Sequence, residues 1–186
     1  GFVNGVNITF LKLPPFIATL AMMMIAGGLA LVVSGVAPIY FSGTPDFQKI
    51  ALGTAVPGLP NAVLITLVLA VIAYLVLSKT LLGRYTFAIG SNEEAARLSG
   101  VNTRRWTILV YMFAGAFTGV AGVIIAARLG SAQPQTGSGY ELQAIAAVII
   151  GGTSLLGGRG SILGTVIGAL IMSVLVNGLR ILSIQT

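Results

Sequence analysis

The amino-acid sequence predicts an all-α protein built from membrane-spanning helices. Of its 186 residues, 56% are hydrophobic and 8% are charged, whereas about a quarter of the residues in a soluble domain carry a charge. The apolar residues fall in long uncharged runs rather than in alternating or amphipathic patterns, which is typical of helices in lipid. We therefore expect a single polytopic transmembrane domain over residues 1–186, with about five spanning or partly spanning segments.

Five apolar runs are the predicted segments, and the Gly- and Pro-rich or polar stretches between them are predicted loops. The fourth run is shorter than the roughly 20 residues that a bilayer usually requires. Gly151 and Gly152 interrupt it, so it either crosses as a broken segment or re-enters the membrane. The runs cover residues 16–33, 62–77, 106–127, 144–156 and 161–179.

The distribution of basic residues predicts the orientation in the membrane. Residues 79–105 are the charge-dense part of the chain, and we expect this loop to be cytoplasmic because Lys and Arg accumulate there. The formal charge of +6 is therefore explained by basic residues that set the membrane topology, and we do not expect nucleic-acid binding. If residues 144–156 cross the membrane, alternation of the spans places Lys12, Lys79, Arg84, Arg97, Arg104, Arg105 and Arg159 on the cytoplasmic side and Lys49, Arg128 and Arg180 on the other. If this run only re-enters, the last span is reversed and Arg159 lies outside.

The residue inventory argues against several kinds of chemistry. The chain contains no cysteine and no histidine, which removes disulfides, thiol nucleophiles, the usual zinc sites and histidine acid–base catalysis. No Walker A sequence surrounds Lys12, Lys49 or Lys79, so ATP hydrolysis through a P-loop is excluded. We expect no catalytic residue, no metal site and no cofactor in this chain, which is not an enzyme. The spans also lack the charged residues that mark a proton-coupled pathway.

The charged loop contains a predicted helix of about two turns between Asn92 and Gly100. Asn92 suits an N-cap, Glu93 and Glu94 lie at the positive end of the helix dipole, and Arg97 lies toward the negative end. Glu93 and Arg97 are spaced as an i,i+4 ion pair, and Gly100 supplies a left-handed C-terminal stop. So short a helix does not persist alone in water. Either a partner or the rest of the protein holds it, and these residues do not decide which.

This loop resembles the coupling loop of ABC importer permeases, where a short helix containing Ala-Ala ends in a glycine and contacts the ATPase subunit. The match is closest to the branch that transports ribose and related monosaccharides, and it includes Gly83-Arg84-Tyr85. The resemblance implies ATPase coupling by Gly90, Asn92, Glu93, Glu94, Ala95, Ala96, Arg97, Ser99 and Gly100.

Later blocks support the same resemblance, which covers nearly the whole chain from Phe16 onward. They include Ser131-Ala132-Gln133-Pro134 and Gly151-Gly152-Thr153-Ser154-Leu155. Members of this family normally carry further helices on both sides, so we expect the chain to lack N-terminal and C-terminal helices.

Glycines at membrane depth have two explanations. Irregular backbone survives there where it lines a cavity, whereas glycine also lets helices pack closely; we expect close packing at Gly115-x-x-x-Gly119 and Gly164-x-x-x-Gly168. Gln133 and Glu141 are candidates for docking a binding protein, although Glu141 could equally pair with Arg128 or be solvated. The candidate translocation residues are Gly151, Gly152, Thr153, Ser154, Gly157, Gly158 and Asn177.

The resemblance implies the permease of a sugar importer in the cytoplasmic (inner) membrane, with ribose or a related monosaccharide as substrate. It implies four kinds of partner: a cytoplasmic ATPase that binds the ATP, an extracytoplasmic sugar-binding protein, a second permease subunit (identical or different) and membrane lipid. Two alternatives remain at this point, namely a branched-chain amino-acid permease and a membrane scaffold or channel without an ATPase.

Overall fold

The computed structural model describes residues 1–182, apart from the side chain of Pro45. These residues cluster into two compact units, one of Gly1–Leu69 with Arg104–Thr136 and one of Ala70–Thr103 with the described residues from Gly137 onward. The elements in chain order are α1 (Phe2–Phe10), α2 (Pro15–Ser34), β1 (Ile39–Tyr40), α3 (Pro45–Leu52), α4 (Asn61–Lys79), α5 (Leu81–Ser91), α6 (Glu93–Leu98), α7 (Thr103–Leu129), β2 (Ser131–Ala132), α8 (Tyr140–Ile150) and α9 (Ile162–Ile181).

Four of the helices are long and apolar enough to cross a membrane. In the described chain these are α2, α4, α7 and α9, with 20, 19, 27 and 20 residues, and at most 6% of the residues in each apolar window are buried. Helices that expose apolar residues around their circumference are suited to lipid or to neighbouring membrane helices. The predicted helical polytopic fold is confirmed, and each of these helices contains most or all of one predicted run.

In the first unit, α1 packs antiparallel on the N-terminal half of α7. Gly5 lies so close to α7 that a Cβ atom there would be 2.8 Å from the Cα of Ile108. At the end of α1, the Arg104 guanidinium carbon lies 5.9 Å from the centre of the Phe10 ring. Lys12, two residues after Phe10, is therefore at the same end of this unit as Arg104, which is the grouping that the charge distribution predicts.

The predicted loop between the first two spans contains regular structure. Helix α3 begins with Pro45, since proline is compatible with the first helical position, and has Asp46 in its first turn. Strand β1 pairs antiparallel with β2, with Ile39 opposite Ala132. The Gly and Pro content of this segment predicted a loop, and that prediction was wrong for these short elements. Strand β1 is stabilised by pairing with distant residues.

Asn61 fastens the end of α3 to the beginning of α4. Its side-chain amide donates to the carbonyl of Lys49 at 2.9 Å, and its carbonyl oxygen accepts from the backbone amide of Ala55 at 2.9 Å. One side chain thus satisfies backbone groups on both sides of a turn, which is how buried or constrained loops avoid unpaired polar groups.

In the second unit, α8 and α9 form an antiparallel hairpin joined by the turn of residues 151–161. A Cβ atom on Gly168 would meet the backbone of Ala147, and one on Gly164 would meet the backbone of Gly151. The helices therefore touch through their backbones, and the packing prediction for Gly164 and Gly168 is confirmed. Of the other predicted pair, Gly115 lies against Gly1, while Gly119 has no neighbour within 4 Å among the described residues.

The fourth predicted segment differs in its limits. The helix begins at Tyr140 and ends at Ile150 instead of continuing to Leu156. It ends because Gly152, with φ +82°, turns left-handed and completes a Schellman motif in which the amide of Thr153 donates to the carbonyl of Val148 at 3.1 Å. At about 1.5 Å per residue, its 11 residues span roughly 16 Å, about half of the hydrocarbon core.

The charged region after α4 is more helical than predicted. Besides the short helix α6 it contains α5, whose apolar residues Leu82, Phe87 and Ile89 are partly buried while Arg84 is exposed. Because residues 79–105 are rich in charge, the sequence predicted a loop there and the amphipathic pattern of α5 was not recognised. The extent of a single transmembrane domain over residues 1–186 stays a prediction, and residues 183–186 lie outside the described part.

Candidate functional site: the coupling segment and the adjoining turn

Helix α6 is capped at its N-terminus by the residue that the sequence predicts. Asn92 has extended backbone angles, φ −159° and ψ 103°, and its Oδ1 accepts from the amide of Ala95 at 2.9 Å. This bond satisfies one of the amides that lack a partner in the first turn. Glu93 and Glu94 follow in that turn, where their negative charges interact favourably with the positive end of the helix dipole.

A Schellman motif ends α6, as the glycine at its C-terminus predicts. Gly100 has φ +84°, and its amide donates to the carbonyl of Arg97 at 3.0 Å. The next amide, that of Val101, donates to the carbonyl of Ala96 at 3.1 Å. Both ends of this six-residue helix are thus closed by local hydrogen bonds.

The ion pair on α6 differs from the prediction. Arg97 Nη2 lies 3.1 Å from Glu94 Oε1, an i,i+3 pair, so the predicted partner, Glu93, was wrong. Both side chains are largely exposed, and water screens such pairs strongly. The pair therefore contributes little to the stability of α6, and the caps matter more.

Helix α6 presents nearly all of its surface. Ala96 is buried at 7% exposure, while Leu98 is 80% exposed; the other predicted coupling residues from Asn92 to Gly100 are exposed as well. An exposed leucine on a charged, doubly capped helix is a surface on which another protein can pack. Composition alone did not single out Leu98.

The α8–α9 turn lies against the residues that precede α6. A Cβ atom on Gly90 would be 2.8 Å from the amide nitrogen of Gly158, and one on Gly158 would be 3.0 Å from the Cα of Ser91. The backbones of the two segments are therefore in direct contact. This contact places Arg159 near the start of α6, the grouping that the charge distribution predicts if residues 144–156 cross.

A cavity of about 300 Å³ lies beside this contact. Four of the predicted translocation residues, Thr153, Ser154, Gly157 and Gly158, line it together with the predicted coupling residue Gly90. The structure thus brings together residues that the sequence assigned to two different roles. The remaining lining residues are Leu77, Thr86, Phe87, Val148, Arg159, Gly160, Ser161, Ile162 and Thr165.

The other predicted translocation residues lie elsewhere in the second unit. Gly151 is the close-packing residue at the end of α8, facing Gly164, and Gly152 is the left-handed residue that ends this helix. Asn177 is exposed on α9. Helix packing accounts for Gly151 and backbone conformation for Gly152, while a translocation role for any of these residues stays a prediction.

The two candidate docking residues belong to different units and are both exposed. Gln133 follows β2, and its side-chain amide donates to Ser131 Oγ at 3.4 Å. Glu141 lies in the first turn of α8. In the described part of the chain, no group of three or more Asp and Glu residues could hold a metal ion.

Comparison with known proteins identifies the family. Residues 1–186 match the family model described as "Branched-chain amino acid transport system / permease component". The chain belongs to this family. Together with its four long apolar helices, membership makes this chain part of a multi-pass protein of the cytoplasmic membrane. No solved structure matches it significantly.

Several curated relatives of this chain are sugar transport permeases. It is 49% identical over 185 residues to the ribose import permease protein RbsC of Bacillus subtilis (strain 168), covering 98% of this chain and 57% of that protein. It is 44% identical over 189 residues to RbsC of Escherichia coli (strain K12), covering 100% and 59%. It is 40% identical over 187 residues to the D-allose transport system permease protein AlsC of the same strain, covering 100% and 56%. The chain thus spans less than two thirds of the length of these relatives, which are transport permeases rather than enzymes.

Proposed function

We propose that this chain is the main part of a permease that carries a monosaccharide, ribose first among them, across the cytoplasmic membrane with energy from a separate ATPase. The observation that carries the proposal is helix α6, which is short, capped at both ends and exposed, on a chain with four long apolar helices. The ribose and allose permeases that resemble it over nearly its whole length support the choice of substrate class.

In this proposal, the segment from Asn92 to Gly100, which contains α6, docks on the ATPase, while Gly90 packs against the α8–α9 turn. The caps at Asn92 and Gly100 pre-form the helix, so that docking does not have to provide its folding energy. Closure of the ATPase on nucleotide would displace α6 and shift the permease between outward-open and inward-open states. ATP binds to the partner, and the permease itself catalyses no reaction and holds no cofactor.

The charges of the chain favour a neutral cargo. All four acidic residues, Asp46, Glu93, Glu94 and Glu141, lie outside the four long helices, so these helices provide no carboxylate for a cation. Hydroxyl and amide groups such as those of Thr153, Ser154 and Asn177 can hydrogen-bond a sugar. A branched-chain amino acid, which the family description mentions, requires groups for both a carboxylate and an ammonium. The sugar permeases among the relatives are a second, separate argument for a neutral substrate.

Two further partners complete the proposal. A sugar-binding protein outside the membrane would dock on Gln133 and Glu141. A second permease subunit, identical or different, would cover part of the exposed apolar surface.

The first experiment is a pull-down of the detergent-solubilised permease with its ATPase, comparing wild type with Glu93→Arg. A matched control is Glu141→Arg, which makes the same charge change at an exposed first-turn position of another helix. We expect wild type and Glu141→Arg to hold the ATPase and Glu93→Arg to lose at least tenfold in binding. If inserted wild type holds no ATPase, or if the two variants behave alike, the coupling role of α6 is wrong and a scaffold or channel is favoured.

Uptake of radiolabelled ribose by cells that lack their own ribose permease tests the substrate. We expect excess unlabelled ribose to compete strongly, allose to compete more weakly and leucine to have no effect. Uptake of labelled leucine instead would replace the sugar by a branched-chain amino acid.

A further inference from the structure

The contact between the end of α5 and the α8–α9 turn is made by backbone on both sides. A Cβ atom on Gly157 would be 3.1 Å from the carbonyl carbon of Gly90, and one on Gly158 would be 3.2 Å from the amide nitrogen of Ser91. Most side-chain contacts adjust by rotamer changes, but a contact between main chains has no such freedom. The two segments must therefore separate or move together.

On one side, this contact connects directly to α6. Asn92, the N-cap of α6, immediately follows Ser91, and its own amide donates to the carbonyl of Ala88 in α5 at 3.0 Å. Helices α5 and α6 are thus joined through a single residue that is hydrogen-bonded to both. A displacement of α6 acts on Gly90 and Ser91 without an intervening flexible loop.

On the other side, the contact connects to α8 and α9. The turn is closed by the amide of Ser154, which donates to the carbonyl of Arg159 at 3.0 Å. Ser161 then caps α9, its Oγ accepting from the amide of Gly164 at 2.9 Å, and Gly164 itself lies against Gly151 of α8. The turn is therefore fixed to both helices of the hairpin by hydrogen bonds and backbone packing.

We propose that Gly90 and the Gly157–Gly158 turn are positioning residues through which the α8–α9 hairpin moves as one body with α5 and α6. This inference rests on the proposed docking of an ATPase on α6. It extends the docking proposal by naming the element that moves in response: when α6 is displaced, the α8–α9 hairpin is displaced with it through this contact. The cavity of about 300 Å³ beside the contact leaves α5 and the hairpin less tightly packed there, so the backbone contact carries the transmission.

A cross-link tests whether the contact stays closed during transport. The chain has no cysteine, so Ser91→Cys with Gly158→Cys introduces one defined pair, and Ser91→Cys alone is the control. We expect oxidation of the inserted double variant in membranes to form the link and leave transport within twofold of the reduced form. Failure to form the link, or a tenfold loss of transport that reduction restores, would overturn the one-body inference.

Because Gly158 has φ +75° and a cysteine there is strained, a second variant tests the inference independently. Gly90→Ala forces the turn away from α5, whereas Gly119→Ala adds the same methyl group at a helical position with no neighbour within 4 Å in the described part of the chain. We expect Gly90→Ala to bind the ATPase and hydrolyse ATP within twofold of wild type, but to lose at least tenfold in transport and in stimulation of hydrolysis by the binding protein. Gly119→Ala should keep all four properties.

Transport by Gly90→Ala within twofold of wild type would refute the role of the contact. The two proposals fail in different ways. Loss of ATPase binding by wild type would refute the docking function, whereas wild-type binding combined with normal transport by Gly90→Ala would refute only the transmission through the turn.

Discussion

The N-cap of α6 offers a graded test of how far this helix must be pre-formed to bind a partner. Replacing Asn92 by Ala removes the hydrogen bond from the amide of Ala95, which is 2.9 Å long, and leaves that amide to water. Because Ala95 is exposed, the loss is that of an ordinary cap, about 1 kcal/mol. This changes the equilibrium between ordered and disordered α6 by a factor of about five.

The effect on binding follows from this equilibrium. If only ordered α6 binds the ATPase, the apparent affinity falls with the ordered fraction. A six-residue helix is marginal without its caps, so we expect Asn92→Ala to weaken ATPase binding by about two- to fivefold. Asn92→Asp retains the cap and should bind as wild type does, while Asn92→Gly should fall between, since glycine is the better of the two replacements without a side-chain cap.

Titration of the detergent-solubilised variants with fluorescently labelled ATPase measures these affinities, with insertion and thermal stability checked for each. The expected order of affinity is Asn and Asp first, then Gly, then Ala. An Asn92→Ala variant that binds as tightly as wild type would show that α6 is fully ordered without its cap. Binding that is weakened equally by Asp and Ala would refute the cap as the cause and implicate the Asn92 amide in direct contact with the ATPase.

Two predictions concern the fold itself. Gly168→Val should lower the stability of the α8–α9 hairpin by about 1–3 kcal/mol because its Cβ meets the backbone of Ala147 and would be 2.9 Å from the amide nitrogen of Gly151. Gly178→Ala, with no neighbour within 4 Å among residues 1–182, should leave the melting temperature unchanged, and equal melting of both variants would contradict the close packing. Asn61→Ala should remove two hydrogen bonds between its side chain and the backbone, of roughly 1 kcal/mol each, and speed proteolysis between α3 and α4. Unchanged proteolysis would show that this side chain does not hold the turn.

Local patterns predicted the ends of α6 well and its ion pair poorly. Asn92 and Gly100 act through hydrogen bonds to amides and carbonyls within a few residues, so sequence spacing is enough to locate a cap. Arg97 has acids at both i−3 and i−4, two rotamer choices of nearly equal energy on an exposed surface, and spacing does not decide between them. The structure selects Glu94.

The sequence did not predict three short elements, α3, β1 and β2. Residues 34–60 contain enough Gly and Pro to predict a loop, yet Pro45 begins α3. The two-residue strands β1 and β2 exist only because distant parts of the chain pair, and no local propensity is strong enough to reveal them.

The sequence by itself determined that the chain forms long apolar helices, that its charges lie at their ends, and that a capped helix interrupts the charged segment. These properties depend on composition and on contacts within a few residues, and insertion into lipid amplifies them because every backbone polar group must be satisfied within its own helix. Only the tertiary structure decided that Gly90 and Gly158 bring two segments into contact. Gly90 and Gly158 are far apart in sequence, and a residue without a side chain leaves no pattern that names its partner. Their contact exists because close approach of two backbones requires that neither has a Cβ atom in the way.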